Sequence, residues 1–140
     1  MLRIWGRSNS VNVQKALWCC EEMNLPYERV DAGGSFGVVN TQQYRNLNPN
    51  GLVPTIEEDG FVLWESNAIV RYLAARHSAG KRWPKDLNIR AEADKWMDWQ
   101  NTPLWPNCRP PFRTLVRRPP AQRDADPRAE APPDTRGEPR

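Results

Sequence analysis

The first 24 residues predict a short strand, a polar turn and an amphipathic helix, and this order constrains the fold more than any other feature. The apolar start, Leu2–Trp5, has the length of a strand, and the turn over residues 6–10 is rich in hydroxyl and amide side chains. The next apolar residues are spaced as on one buried helix face, and they are Val13, Ala16, Leu17 and Cys20. Such a turn offers backbone N–H groups and the positive end of a helix dipole, so it predicts an anion-binding pocket.

The pattern that follows predicts a mixed sheet. Pro26 ends the first helix, and a second strand follows over residues 27–30. We expect a short helix capped by Thr41, a hairpin over residues 52–63, and a long helix with Ser66 as its N-cap. A strand–helix–strand unit requires parallel strands, whereas the hairpin adds an antiparallel pair. The predicted fold class is therefore α/β, with a thioredoxin-like domain (βαβ-α-ββα) over residues 1–78.

The remainder of the chain changes character twice. Residues 79–87 are predicted to be a linker, and the amphipathic helix over residues 88–102 to be the first of an incomplete all-helical domain. Residues 103–140 hold ten of the 14 prolines, and alanine is the only apolar residue type after Arg118. Such a segment buries too little apolar surface to offset chain entropy, so it is predicted to be a disordered Pro/Arg-rich tail.

Charge and cysteine content narrow the function classes. Residues 1–102 hold 12 basic and 12 acidic residues, so the net charge of +3 comes from the tail and gives little support for nucleic-acid binding. The three cysteines, Cys19, Cys20 and Cys108, form neither an even disulfide framework nor a metal-ligand spacing. No stretch has the length of a membrane span or the pattern of a signal peptide. These features predict a cytoplasmic protein with no metal, nucleic-acid or membrane partner.

Three stretches together resemble the glutathione S-transferase family, in its serine-type, theta- and zeta-like bacterial branch. Residues 6–13 resemble the family's catalytic turn, residues 48–54 (NPNGLVP) are similar to its NPxGxVP loop, and residues 65–69 (ESNAI) resemble its ES-x-AI helix start. Their order matches the strand and helix pattern described above. The resemblance covers residues 1–102, and short stretches of weaker similarity continue to residue 123. The change of composition after residue 101 predicts a truncated or frame-shifted form of the family's helical domain.

The resemblance implies that glutathione is bound as a substrate, without a separate cofactor, and that its thiol is ionised for attack on a small electrophile. It also implies a homodimer. A free thiol has a pKa near 8.5, and lowering it by about two units requires only about 2.7 kcal/mol. A hydroxyl that donates to the sulfur at a helix start supplies an interaction of that size. The alternatives are a non-catalytic glutathione-binding module and an inactive truncated remnant.

By resemblance, Ser10 matches the catalytic serine, because it lies four positions before Gln14 and sixteen before Pro26. The local sequence alone favours an ordinary N-cap role for Ser10. Ser8 and Asn12 are the competing candidates for the group that faces the thiol, and Asn12 takes the place where some relatives carry a cysteine or another polar residue.

The other implied contacts lie downstream. In the family the peptide bond before the residue matching Pro54 is cis, and the backbone at the position of Val53 pairs with the cysteinyl backbone of glutathione. Ser66 and the N–H groups of its helix start would bind the γ-glutamyl carboxylate, and Glu65 would face the γ-glutamyl ammonium. The alternatives are an edge-strand proline at Pro54, and a capped helix with a solvated acid at Glu65.

Overall fold

The computed structural model describes residues 1–118 and residue 120. The chain divides after Leu87 into two compact units. Over residues 1–86, all of them described, the strands and α-helices are β1 (Leu2–Trp5), α1 (Val11–Met23), β2 (Tyr27–Val30), α2 (Gln42–Leu47), β3 (Thr55–Glu58), β4 (Phe61–Trp64) and α3 (Ser66–His77), and a 3₁₀ turn spans Gly34–Phe36.

The four strands form one mixed sheet in the order β2-β1-β3-β4. β1 pairs in parallel with β2, whereas β3 is antiparallel to both β1 and β4. The parallel pair follows from the crossover through α1, and the β3–β4 pair follows from the tight turn at Asp59 and Gly60. The predicted α/β class and thioredoxin-like architecture are confirmed.

The core lies on one face of the sheet, beneath α1 and α3. Leu2 and Ile4 alternate along β1 and point to this face, where Ile56 of β3 joins them. The helices contribute the rest of the buried cluster, which is Ala16, Cys20, Ile69 and Leu73. The face predicted for the first helix is therefore the buried one, with Leu17 packed at its margin.

The opposite face of the sheet carries α2. The ring of Trp5 points to this side and meets Tyr44 of α2 edge-on, with 5.8 Å between the ring centroids. Thr41 caps α2 as predicted, because its Oγ1 accepts a hydrogen bond from the Tyr44 N–H at 3.3 Å. Helices therefore cover both faces of the sheet.

The second unit is helical beyond the point where the sequence predicts a tail. α4 spans Leu87–Trp99, and a wide π-helical turn over Gln100–Leu104 leads into α5, Trp105–Phe112, and a further π-helical turn to Arg117. The sequence predicts a disordered tail from residue 103, whereas the structure is helical as far as residue 117. Residues 121–140 of the predicted tail lie outside the described residues. Pro103 lies in the first of these π-helical turns, and Pro106, Pro110 and Pro111 lie in α5. Within the described part of the chain, no helix has the length and apolar character needed to cross a membrane.

Candidate functional site

One row of paired residues crosses all four strands at the same edge of the sheet. Trp5 pairs with Val30 on one side and with Thr55 on the other, and Thr55 pairs with Trp64. β1, β2 and β4 end at this row, and β3 begins there. The segments that join the row therefore lie together along one edge, here named the site edge, and they are residues 6–10, 31–34, 53–54 and 65–66.

The turn after β1 presents the start of α1 at the site edge. The backbone N–H of Gly6 donates to the Val30 carbonyl at 2.8 Å, which fixes the turn on β2. A Cβ at Gly6 would lie 2.4 Å from a methyl group of Val13, so only glycine fits between this turn and the helix. Ser10 is buried at the N-cap of α1, and its side chain makes no hydrogen bond to the first-turn N–H groups. Asn12, in the first turn, is partly exposed.

Ser8 lies in the same turn but is exposed, unlike Ser10. The two candidates therefore differ in their surroundings: the Ser10 side chain lies at the helix start, and the Ser8 side chain faces solvent. A hydroxyl at a helix start acts alongside a dipole equivalent to about half a positive charge, which favours an anion there. This geometry makes Ser10 the better placed of the two to donate to an anion.

A buried polar cluster holds the segment before β3. Tyr44 Oη donates to the Leu52 carbonyl at 2.6 Å, and Asn48 Nδ2 donates to the same oxygen at 3.0 Å. Asn48 Nδ2 also donates to Thr55 Oγ1 at 3.1 Å. Burial raises the pKa of Tyr44, so its hydroxyl stays protonated and able to donate. The cluster fixes the two residues between Leu52 and Thr55.

Those two residues are Val53 and Pro54, and the peptide bond between them is cis. Pro54 is buried and Val53 is partly exposed at the site edge. Neither the N–H nor the carbonyl of Val53 is hydrogen-bonded to another residue within the described part of the chain. An extended peptide can hydrogen bond to backbone groups of this kind as an added strand does.

The start of α3 completes the site edge and differs by one position from the prediction. Glu65, not Ser66, is the N-cap residue, and Ser66 is the first residue of the helix. Glu65 has φ of 73°, a left-handed conformation that is uncommon outside glycine. This conformation turns the chain from β4 directly into α3. As a result the Glu65 side chain is exposed, whereas Ser66 is only 5% exposed.

Two residues that the sequence motifs do not indicate, Lys15 and Arg7, lie close to the elements of the site edge. Lys15 of α1 donates from Nζ to Oδ1 of Asn67, the second residue of α3, at 2.9 Å. Burial lowers the pKa of Lys15, and the charge of Glu65 opposes this effect. The available signal for Lys15 is a lysine on the flank of a buried helix face, whereas the family-like motif ends at residue 13.

Arg7 packs across the loop that follows β2. A Cβ placed on Gly33 would lie 3.1 Å from Arg7 Nη1 and 3.4 Å from the γ-methyl groups of Val53. Arg7, Gly33 and Val53 therefore come together at the site edge. For metal binding, the described residues contain no group of three or more His, Cys, Asp or Glu side chains that could hold an ion.

Comparison with known families and proteins gives consistent matches. Residues 9–76 match the family model described as the N-terminal domain of glutathione S-transferase. Glutathione S-transferase GstB of Escherichia coli is 48% identical over 126 residues, which are 89% of this chain and 61% of that protein. Rat glutathione S-transferase theta-1 is 34% identical over 93 residues, which are 66% of this chain and 38% of that protein.

The solved structures agree with the sequence matches. A theta-class glutathione S-transferase from Xanthomonas axonopodis pv. citri, crystallised with glutathione bound, superposes with a TM-score of 0.87 at 48% identity. The match covers 93% of this chain and 62% of that one. Glutathione transferase E6 of Drosophila melanogaster gives a TM-score of 0.75 at 26% identity. This chain therefore spans about three fifths of the length of its 48%-identical relatives.

Proposed function

Because the chain belongs to the glutathione S-transferase family, we propose that it binds glutathione along the site edge and holds the cysteinyl sulfur as a thiolate beside Ser10. The observation that carries the proposal is the row Val30–Trp5–Thr55–Trp64, which brings residues 6–10, 53–54 and 65–66 to one edge of the sheet. These segments offer a hydroxyl, an unpaired strand edge and a helix start. These groups suit the thiol, the cysteinyl backbone and the γ-glutamyl carboxylate of glutathione.

The chemistry assigned to Ser10 is donation of a hydrogen bond to the sulfur. A hydrogen bond to a charged group is worth about 1.5–3 kcal/mol, which lowers a thiol pKa by about one to two units. The dipole of α1 acts in the same direction, because Ser10 lies at its positive end. Because the side chain does not cap α1, it can turn toward a ligand without breaking a helix contact. Asn12 is the second candidate donor, in the first turn of the same helix.

The remaining contacts follow the edge of the sheet. The Val53 N–H and carbonyl would pair with the cysteinyl backbone, and the cluster of Tyr44 and Asn48 would keep that segment in place. The helix start at Ser66 would receive the γ-glutamyl carboxylate, and the exposed Glu65 carboxylate would face its ammonium.

Transfer requires a second substrate, a small electrophile. The thiolate electron pair forms a carbon–sulfur bond, and the leaving group departs with the electron pair of the bond that breaks. The sulfur nucleophile in this step belongs to glutathione and not to the chain, whose Cys20 is fully buried. The reaction needs glutathione in its thiol form, so we propose that the protein acts in a reducing compartment such as the cytoplasm.

Ser10→Ala tests the proposal. We expect the rate of glutathione conjugation to an aromatic electrophile to fall about 10- to 100-fold, since one hydrogen bond to a charged group is lost. Retention on immobilised glutathione should persist, because the backbone and helix-start contacts remain. The measurement is kcat/KM beside resin retention.

Ser8→Ala and Asn12→Ala are the matched controls from the same turn and helix. An unchanged rate for Ser10→Ala, with a loss for either control, would transfer the donor role to that residue. Retention of the unaltered chain without any turnover would reject the transferase and leave a glutathione-binding module.

A further inference from the structure

A hydrogen bond between Lys15 and Asn67 joins the two helices that begin at the site edge. Lys15 Nζ lies 2.9 Å from Asn67 Oδ1, and Asn67 is buried, with only 5% of its surface exposed. α1 and α3 also pack directly against each other. The bond therefore connects the element that carries Ser10 to the element that starts at Glu65 and Ser66.

We propose that Lys15 is a positioning residue that holds the start of α3 in register with Ser10 and places a positive charge behind the γ-glutamyl subsite. This role rests on the proposed function. It makes Lys15, which lies outside the three family-like stretches, a determinant of the site's specificity for a γ-glutamyl group. Lys15 acts through Asn67 and Glu65, without touching the reacting sulfur.

The helical geometry supports the positioning role. Ser10 and Lys15 are five residues apart at the start of one helix, a rise of about 7.5 Å along a rigid rod. Asn67 immediately follows Ser66 in α3, so a bond to Asn67 also restrains the first turn of that helix. The Lys15–Asn67 bond therefore adds a polar restraint, close to the helix starts, to the direct packing of α1 on α3.

The chemical nature of the side chain supports the charge role. A half-buried ammonium is costly where a neutral side chain of similar length would fit, and burial lowers the pKa of Lys15 for that reason. Its cationic form is favoured by the nearby Glu65, the N-cap residue of α3, which has a left-handed conformation. A cation here adds to the helix dipole at the point where we expect a carboxylate to bind.

The experiment compares Lys15→Met, Lys15→Gln and Lys15→Arg in the full chain, with Lys95→Met as a matched control. Lys95 is exposed and pairs only locally with Glu92, so its loss should leave ligand binding unchanged. Binding is measured by calorimetry with two halves of the tripeptide, γ-glutamylcysteine and cysteinylglycine. For Lys15→Met we expect the Kd for γ-glutamylcysteine to rise about tenfold.

The affinity for cysteinylglycine should stay close to that of the unaltered chain, because this dipeptide lacks the γ-glutamyl group. Lys15→Gln, which keeps a donor without the charge, should lose less affinity for γ-glutamylcysteine, and Lys15→Arg should restore most of it. At saturating glutathione, kcat should change little, since the Ser10 end of the site is untouched.

Two outcomes would overturn the inference alone: an unchanged Kd for γ-glutamylcysteine in Lys15→Met, or equal losses for both dipeptides. The second outcome would mean a general disturbance of the fold, which a parallel melting curve would also reveal. Failure of the unaltered chain to bind glutathione at all would instead reject the proposed function, and this inference with it.

Discussion

At the scale of single residues, two serines at helix starts have different positions relative to their helices. Ser10 occupies the N-cap position of α1, but its side chain makes no capping hydrogen bond. Ser66 is the first helical residue of α3 and follows the N-cap residue Glu65. Both are nearly buried, with 8% and 5% exposure. Their hydroxyls therefore lie at the positive ends of two helices at the same sheet edge, an arrangement that suits a ligand with two separate negative groups.

The buried thiol of Cys20 gives a residue-scale prediction. Burial, with smaller effects of Cys19 and nearby acids, raises the pKa of Cys20 to about 12. The thiolate is the reactive form, so we expect Cys20 to resist iodoacetamide at pH 8 in the folded chain, while the exposed Cys108 is alkylated. Mass spectrometry of peptides from the labelled chain measures both sites at once. Fast labelling of Cys20 without denaturant would contradict the burial described for α1.

The same shift predicts how stability depends on pH. The folded-state pKa of Cys20 lies above its ordinary value of 9.0, so its protonated thiol contributes stability that is fully present below pH 9. That contribution should decline as the pH rises from 9 toward 12. Urea unfolding of the unaltered chain and of Cys20→Ala at successive pH values isolates the contribution of this thiol. The free energy of unfolding of the variant should fall less steeply above pH 9.

At the scale of elements, local patterns could be predicted from the sequence and contacts between distant segments could not. The strands, α1 and the Thr41 cap follow from apolar spacing and turn residues within a few positions of one another. The bond between Lys15 and Asn67 spans 52 positions, and no local pattern specifies it. Family resemblance supplied Val53 and Ser66, because a sequence pattern alone does not indicate which strand ends meet.

Two further differences between the predicted and the observed elements have local physical causes that the sequence pattern does not indicate. A positive φ at Glu65 moves the start of α3 by one residue, although serine is the more usual N-cap. π-Helical turns carry the backbone past Pro103, where the missing N–H would otherwise interrupt the helix. Proline content therefore indicated an earlier end to the helical segment than the structure has.

The contact between the β3–β4 hairpin and α3 gives an element-scale prediction. Glu58 is buried at the end of β3, where Arg76 Nε lies 3.1 Å and His77 Nε2 2.8 Å from its carboxylate oxygens. Tyr72 Oη donates to the same carboxylate at 2.8 Å, and the pKa of Tyr72 is raised by burial and then by this bond. We expect Glu58→Gln to lower the free energy of unfolding by about 2 kcal/mol, as measured by urea denaturation.

Asp59→Asn is the control for that measurement, because Asp59 is the next residue and is exposed. A hydrogen bond from the N-terminal ammonium lowers the pKa of Asp59, so its contribution is present at neutral pH and lost as the pH falls through that lowered pKa. At neutral pH we expect the urea midpoint of Asp59→Asn to stay close to that of the unaltered chain, since solvent screens exposed pairs. Equal losses for both variants would contradict the role assigned to the burial of Glu58.

At the scale of the whole molecule, the apolar core belongs to the first unit. Every member of the buried hydrophobic cluster lies between Leu2 and Leu73. In the described part of the second unit, neither α4 nor α5 has a buried residue, and large side chains such as Trp96 and Trp99 are exposed. The free energy of burial that holds the chain folded therefore comes from residues 1–87.

We accordingly predict that a chain ending at Leu87 folds alone and keeps the glutathione affinity of the full chain. Its thermal midpoint should lie within about 5 °C of that of the full chain, a difference that corresponds to about 1 kcal/mol in a domain of this size. Circular dichroism and calorimetry with glutathione measure the two properties. A peptide of residues 88–118 should show little helix in water, because short isolated helices are marginal without packing. An unfolded shorter chain would mean that the second unit supplies packing required by the sheet, whereas a folded chain without affinity would place part of the binding site beyond Leu87.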